Sequence, residues 1–542
     1  MIPTPDHLLI APILIPLVAG ALMLFYEVPQ RRVIAVISAV AQLAVAIELI
    51  DMAAREGPGA IGLYLLGNWP PPFAIVLVLD RLSALMVTLT ALLALPAIVF
   101  AMARWDRRGQ HFHSLFQFLL MGLNGAFLTG DLFNLFVFFE VLLAASYGLA
   151  LHGSGTLRVR AGLHYIAINL AASLLFLIGV SLIYGVSGTL NMADLAVRVP
   201  LVPAENRPLL SAGAAVLGVA FLVKAAMWPL CFWLPITYLA AAPPAAAMFA
   251  VLSKVGVYVL LRVSSLAFGT GAAQLTGLGA ELLLAGGLAT LVFGTVGVLA
   301  AQGLGRLAGA SVLVSSGTLL SVVGLSGLGG GSVLVAGALY YLVASTIAIS
   351  ALFLMVELIE REQGALAGIL TVTAEAYGLG DAEVDDPDPR TGPGLLSATT
   401  VLGLCFVTCA LLIAGMPPLA GFLGKFAMLS AALGSGTLAA GEVSGVALAF
   451  TALVIVSGLA ALIALAREGV RTFWASEDEA MPTVPLIEIV PVLLLLVLTV
   501  AMTVKAGPVM RYMEATAATL NHPHVYIRGV IAMGPPVADE AR

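Results

Sequence analysis

The sequence predicts an all-α polytopic membrane protein, and three observations carry that prediction. Of the 542 residues, 61% are hydrophobic and only 10% are charged, against roughly a quarter charged in a soluble domain. Apolar runs of about 20 residues, each long enough to cross a ~30 Å hydrocarbon core as a helix, recur from end to end. The runs are continuous rather than alternating, which excludes a transmembrane β-barrel.

Fourteen segments are expected, near residues 8–26, 33–52, 80–103, 113–129, 132–151, 162–186, 209–234, 243–267, 279–302, 306–328, 333–358, 394–430, 443–466 and 484–505. The N-terminal "MIPTPDHLLIAPILIPLVAG" has no basic n-region and no small-residue cleavage site, so it reads as a retained first helix. The seventh segment is interrupted at Trp228-Pro229. The twelfth is too long for one straight crossing and carries "GMPPLAGFLGK", so a broken helix is expected there. Arginines such as Arg31, Arg32, Arg104, Arg108, Arg158 and Arg160 fall after odd-numbered segments. That bias puts the odd loops in the cytoplasm and both termini outside.

Between the segments, "GNWPPPF" (Gly67–Phe73) is a rigid stretch with an interfacial tryptophan, and the run Gly380–Gly394 is acidic and reads as a solvated linker. Cys405 and Cys409 are spaced i,i+4, but two thiols without further ligands make a poor metal site. With Cys231 they read as small packing residues, and no metal or cofactor is expected. A net charge of −6 argues against nucleic acid as a partner.

The chemistry concentrates in lysine. Among 24 basic residues only Lys224, Lys254, Lys425 and Lys505 are lysines, and the first three lie inside apolar segments. Such placement costs at least ~2.5–3.5 kcal/mol each. Arginine stays protonated almost anywhere, whereas lysine shifts its pKa when desolvated and recovers its charge beside a carboxylate. A buried lysine with a movable partner is therefore a switchable proton site. Glu140, among phenylalanines and leucines in the fifth segment, is the expected partner of Lys224. Asp131 reads as a helix cap.

Proline belongs to the same sites. Pro229 cannot donate to the carbonyl of Ala225, and Pro417 and Pro418 free those of Ile413 and Ala414, shortly before Lys425. Two broken helices with lysines point to inverted repeats, expected at 111–270 (helices 4–8) and 275–470 (helices 9–13, with an acidic cytoplasmic loop at 361–393). Residues 1–110 hold helices 1–3. Residues 480–542 hold helix 14 and a tail too short to be a domain. Lys254 lies between the repeats in chain order and would bridge two half-paths. His152 and His164 bracket the loop between the fifth and sixth segments, where histidine would load protons or simply sit near the interface.

At these residues the chain resembles a known family. "LGNWPPPFAIVLVLDRLSALM", "GDLFNLFVFFEVLLAASYGLALHG", "RAGLHYIAINL" and "GVSGTLNMADLA" resemble the D subunit of the Mrp-type (Pha-type) multisubunit cation/proton antiporters. "FLVKAAMWPLCFWLP", "LSKVGVYVLLR" and "GMPPLAGFLGKF" are similar to the wider superfamily, which includes the antiporter-like subunits of respiratory complex I and membrane-bound hydrogenases. The resemblance implies fourteen helices with two inverted five-helix repeats. It implies a polar axis from Glu140 through Lys224 and Lys254 to Lys425, and a hetero-oligomer of Mrp subunits in the bacterial cytoplasmic membrane. That assembly would exchange Na⁺ or K⁺ for H⁺. The superfamily often carries histidines or a lysine on the eleventh helix. Here "YYLVASTIAISALFL" offers Ser345, Thr346 and Ser350 instead, and the tenth helix offers Ser315, Ser316 and Thr318. A relay there must use hydroxyls with water.

Two rivals remain at this point. A proton-pumping subunit of a redox complex would share the charge axis, but the stretches similar to the antiporter family favour the antiporter. A scaffold with vestigial charges would not keep three costly lysines.

Overall fold

A computed structural model of the chain describes residues 6–55, 61–73, 75–376, 398–434, 445–473 and 484–532. The acidic run Gly380–Gly394 and both chain ends lie outside the described residues. The helices are α1 (Ala11–Leu22), α2 (Val28–Arg55), α3 (Arg81–Ala103), α4 (Phe112–Leu128), α5 (Leu132–Ala150), α6 (Thr156–Ser187), α7 (Met192–Arg198), α8 (Arg207–Lys224), α9 (Trp233–Ala240) and α10 (Pro243–Ala267). They continue with α11 (Ala280–Ala300), α12 (Leu304–Gly327), α13 (Ser332–Ala376), α14 (Ala398–Ala414), α15 (Ala420–Gly434), α16 (Gly445–Phe473), α17 (Leu486–Val504), α18 (Ala506–Asn521) and α19 (His524–Ile531).

Among the described residues eleven helices are long and apolar enough to cross a membrane, while α1, α4, α14 and α15 are apolar but shorter. A helix buried all round belongs to the centre of a large bundle. That description fits α10, α12 and the Ser332–Glu360 part of α13, whereas α2, α6, α11, α16 and α17 leave most of their surface open. The three central helices thus carry Lys254 and the hydroxyl-rich stretches, and the open helices form the lipid-facing ring. Asp131 caps α5, its Oδ1 accepting from the Asn134 amide at 2.8 Å. Cys405 and Cys409 are buried free thiols on α14.

Three features depart from the sequence reading. The loop containing Gly67–Phe73 is the tip of an antiparallel hairpin, β1 (Gly62–Leu65) with β2 (Val76–Leu79), so the chain is not purely helical. Four-residue strands carry too little pattern to stand out beside apolar helices. Second, α13 runs on to Ala376, through residues read as the start of a loop. Third, the tail is no domain, but it forms α18 and α19 and docks on the bundle. Tyr512 donates its hydroxyl to the Arg81 carbonyl at 2.9 Å. The Tyr526 ring lies 5.2 Å from the Arg262 guanidinium. Arg262, buried on α10, donates to both carboxylate oxygens of Asp80, at 2.5 and 2.7 Å. A buried cation needs such a partner.

Candidate functional site

The two helix breaks share one backbone design. The stretch Ala225-Ala226-Met227-Trp228-Pro229-Leu230 follows α8, and Ala414-Gly415-Met416-Pro417-Pro418-Leu419 joins α14 to α15. The second residue of each is left-handed, Ala226 at φ 56° and Gly415 at φ 76°. A glycine takes that conformation freely, while an alanine bears about 1 kcal/mol or more of strain. The following methionine amide then reaches back five residues, Met227 to the Leu222 carbonyl at 3.0 Å and Met416 to that of Leu411 at 2.9 Å. This is the Schellman closure of a helix end. At membrane depth the last carbonyls still need donors. On α8 the Trp233 indole donates to the Val223 carbonyl at 3.3 Å. On α14 the donor is Lys425, whose Nζ meets the Ile413 carbonyl at 3.2 Å and the Ala414 carbonyl at 2.9 Å. These are the carbonyls that Pro417 and Pro418 were expected to free.

Lys224 precedes its break and Lys425 follows its own, which in sequence looks asymmetric. In space the difference closes. Lys224 is the last residue of α8, and Lys425 reaches back from α15 to the last carbonyls of α14. Both lysines belong to the C-terminal, negative end of the first half-helix, Lys224 by its place in the last turn of α8 and Lys425 by its bonds to the last carbonyls of α14, and there the helix dipole favours a cation. Each is only 7% exposed.

Lys224 donates to Asn169 Oδ1 on α6 at 3.0 Å. Asn169 is held in turn by its Nδ2, which donates to the Tyr165 carbonyl at 2.8 Å. The ring of Phe139, one residue before Glu140, lies 5.7 Å from Lys224 Nζ. Glu140 stands on α5 close enough for its charge to act on Lys224, yet its buried Oε1 takes no hydrogen bond. The expected cross-helix pair is therefore an electrostatic neighbour, with Asn169 as the direct partner. Nothing local in the sequence marks Asn169, which lies 55 residues before Lys224.

Lys254 is 0% exposed on α10, and its Nζ has no hydrogen-bond partner among the described residues. The hydroxyls expected to replace the missing histidines occur in two arrangements. Ser315 on α12 and Ser345 on α13 meet at 3.1 Å. Thr346 instead donates back along α13 to the Leu342 carbonyl at 2.6 Å, and Ser350 crosses to the Ala247 carbonyl on α10 at 2.8 Å. A void of about 20 Å³ opens among α12, α13 and α14, lined by Ser311, Tyr341, Ser345 and Ile413 with apolar neighbours. That is space for about one water.

The two histidines separate. His164 is exposed on α6, hydrogen-bonded at 2.8 Å to the Arg160 carbonyl. His152 is buried and donates its Nε2 proton to the Trp105 carbonyl at 2.7 Å. Burial holds its pKa below the ordinary value of 6.5. Beside it, Asp106 accepts from Arg32 at 2.6 and 2.9 Å and approaches His113 at 3.3 Å. Burial alone would raise the Asp106 pKa, but the hydrogen bonds from His113 and Arg32 outweigh it and hold the carboxyl below its usual range. From the same loop side, Arg158 donates to the Ala240 carbonyl at the end of α9 at 2.6 Å. The first turn of α6 thus grips the second half of a broken helix. No group of three or more His, Cys, Asp or Glu side chains that could hold a metal occurs among the described residues.

A bundle with two half-helix pairs, each ending at a buried ammonium, defines a polytopic membrane protein of the ion-translocating kind. Residues 129–451 match the family model described as NADH:quinone oxidoreductase/Mrp antiporter, TM, and the chain belongs to that family. It is similar to a probable D subunit of a K(+)/H(+) antiporter from Rhizobium meliloti, 55% identical over 97% of this chain and 98% of the relative. It is also similar to the D subunit of an Na(+)/H(+) antiporter from Alkalihalophilus pseudofirmus, 34% identical over 97% and 99%. Among solved structures it resembles a chain of the Mrp complex from Dietzia sp., with a TM-score of 0.79 and 27% identity over 97% of this chain and 99% of that one.

Proposed function

We propose that this chain is the D subunit of a multisubunit Na⁺ or K⁺/H⁺ antiporter, assembled with other Mrp subunits in the bacterial cytoplasmic membrane with both termini outside. Full-length similarity to antiporter D subunits supports the assignment. Protons move along Glu140, Lys224, Lys254 and Lys425. The observation that carries this is the set of three buried lysines, two at broken-helix ends and one with no hydrogen-bond partner among the described residues. Residues 111–270 and 275–470 act as two inverted repeats. In support, α4 packs on α5 as α11 packs on α12, and the two breaks share their backbone. Glu140 biases the charge of Lys224, and Asn169 holds the ammonium while it is protonated. Lys254 joins the half-paths, and Lys425 terminates the second. The assembly works as a secondary transporter rather than an enzyme.

The test is cation-dependent dissipation of a pH gradient in vesicles holding the whole complex. Glu140→Ala and Lys224→Ala each abolish it, and Lys224→Arg fails too because arginine cannot give up its proton. Full activity of E140A or K224A at normal assembly would remove the axis. The family also includes subunits of NADH:quinone oxidoreductases. Flavin or iron–sulfur in the natively purified partners would turn the assignment toward redox-driven pumping.

A further inference from the structure

We propose that Tyr341 carries the proton through the second half-path, together with one water held in the cavity it shares with Ser311 and Ser345. The inference rests on the Lys254–Lys425 axis proposed above and supplies its missing middle. Helix α13 presses so closely on α15 that a Cβ on Gly424 would lie 2.9 Å from the Tyr341 Cα and amide nitrogen. Gly424 directly precedes Lys425, so this contact brings Tyr341 alongside the lysine's segment. On the other side, Ile413 lines the cavity and its carbonyl accepts from Lys425 at 3.2 Å. Tyr341 and the Lys425 anchor therefore meet at one void.

The lining suits a single bridging water. Ser311 gives its proton to the Leu307 carbonyl at 2.9 Å, and Ser345 gives its own to that of Leu342 at 3.3 Å. Ser345 also meets Ser315 at 3.1 Å, yet a hydroxyl oxygen has two lone pairs, so each serine keeps one to accept from water. One helical turn before Ser345, the phenol-bearing Tyr341 lines the same void. It is both donor and acceptor. A void with only apolar walls would stay dry, whereas one with two to four polar partners holds water.

Transfer then balances without a charged phenol. An N–H bond of the Lys425 ammonium breaks and the proton joins the cavity water. That water passes a proton to the Tyr341 oxygen as the phenol proton leaves for Ser345, and Ser345 hands its own to Ser315, 3.1 Å away. Each oxygen forms one O–H bond and loses one. Ser315 in turn loses its own O–H proton toward α10, which packs against both α12 and α13, and the neutral amine of Lys254 there gains the proton that Lys425 lost.

The test uses the whole complex in vesicles. Tyr341→Phe removes one oxygen and keeps the ring, so packing and assembly persist. Antiport should fall by about tenfold or more. The slowing in D₂O should exceed that of the unmodified complex, because the interrupted relay becomes rate-limiting. Ser345→Ala should lower antiport in the same sense, and Ser345→Thr, which keeps the hydroxyl, should recover most of that loss. Normal antiport in Y341F while Lys425→Ala is inactive would overturn the inference alone. So would a slow Y341F complex whose isotope effect is unchanged, since that marks a packing role. An active K425A complex would instead overturn the axis on which the inference stands.

Discussion

Lys254 offers a test in which stability and transport move in opposite directions. Its side chain is fully enclosed and its ammonium has no hydrogen-bond partner among the described residues. Replacing a lysine at the centre of a membrane span removes an insertion cost of about 2.5–3.5 kcal/mol. Methionine has a similar length, is flexible enough to fill the same space, and leaves no polar atom behind. Because Nζ donates to no acceptor among the described residues, Lys254→Met orphans none there. Lys425 differs here, since its removal strands the Ile413 and Ala414 carbonyls, at about 1–3 kcal/mol for each buried acceptor. Lys254→Met should therefore stabilise the protein by up to about 3 kcal/mol. At roughly 2–4 °C per kcal/mol for a 150–250-residue domain, and less for a longer chain, the midpoint should rise by a few degrees. The assay is thermal unfolding of the purified complex alongside antiport in vesicles at matched protein. The expected result is a higher midpoint with transport abolished. A lower midpoint would show that the ammonium has a stabilising partner, refuting the stability argument. Persisting transport would take Lys254 off the path.

Two further outcomes follow from packing and from titration. Gly424→Ala drives a methyl into the Tyr341 backbone at 2.9 Å. It should destabilise the complex by about 1–3 kcal/mol, read as a lower unfolding midpoint; an unchanged midpoint would show that α13 and α15 separate freely. His152 is buried with its pKa below 6.5, so the folded state favours the neutral ring. Its stabilising contribution is complete above the unfolded value near 6.5 and is lost as pH falls below it toward the lower folded value. The complex should lose thermal stability between about pH 8 and about pH 5.5. His152→Gln keeps an N–H donor without the charge change and should narrow that gap; an equal gap in both proteins would acquit His152.

Much of the site was legible because its signals are local. A lysine in an apolar run is costly wherever the run ends up, and a proline frees a carbonyl four residues back whatever packs beside it. Lys224, Lys254, Lys425 and the breaks at Pro229 and Pro417-Pro418 could therefore be read directly. Asn169 and Tyr341 could not. An asparagine or tyrosine in a membrane helix has many ordinary uses, and only the crossing of α6 with α8, or of α13 with α15, gives these two a neighbour of consequence.

By itself, then, the sequence determined the membrane class, the broken helices and the buried cations, because apolar run length, insertion cost and missing amide protons are properties of the chain in one dimension. Tertiary structure alone decided what each cation touches. It placed Lys425 on the carbonyls of α14, enclosed Lys254 without a hydrogen-bond partner among the described residues, set Asn169 rather than Glu140 against Lys224, and folded Tyr526 over Arg262. Those outcomes depend on which helix faces meet across tens to hundreds of residues, and a pairing between distant faces leaves no trace in local composition.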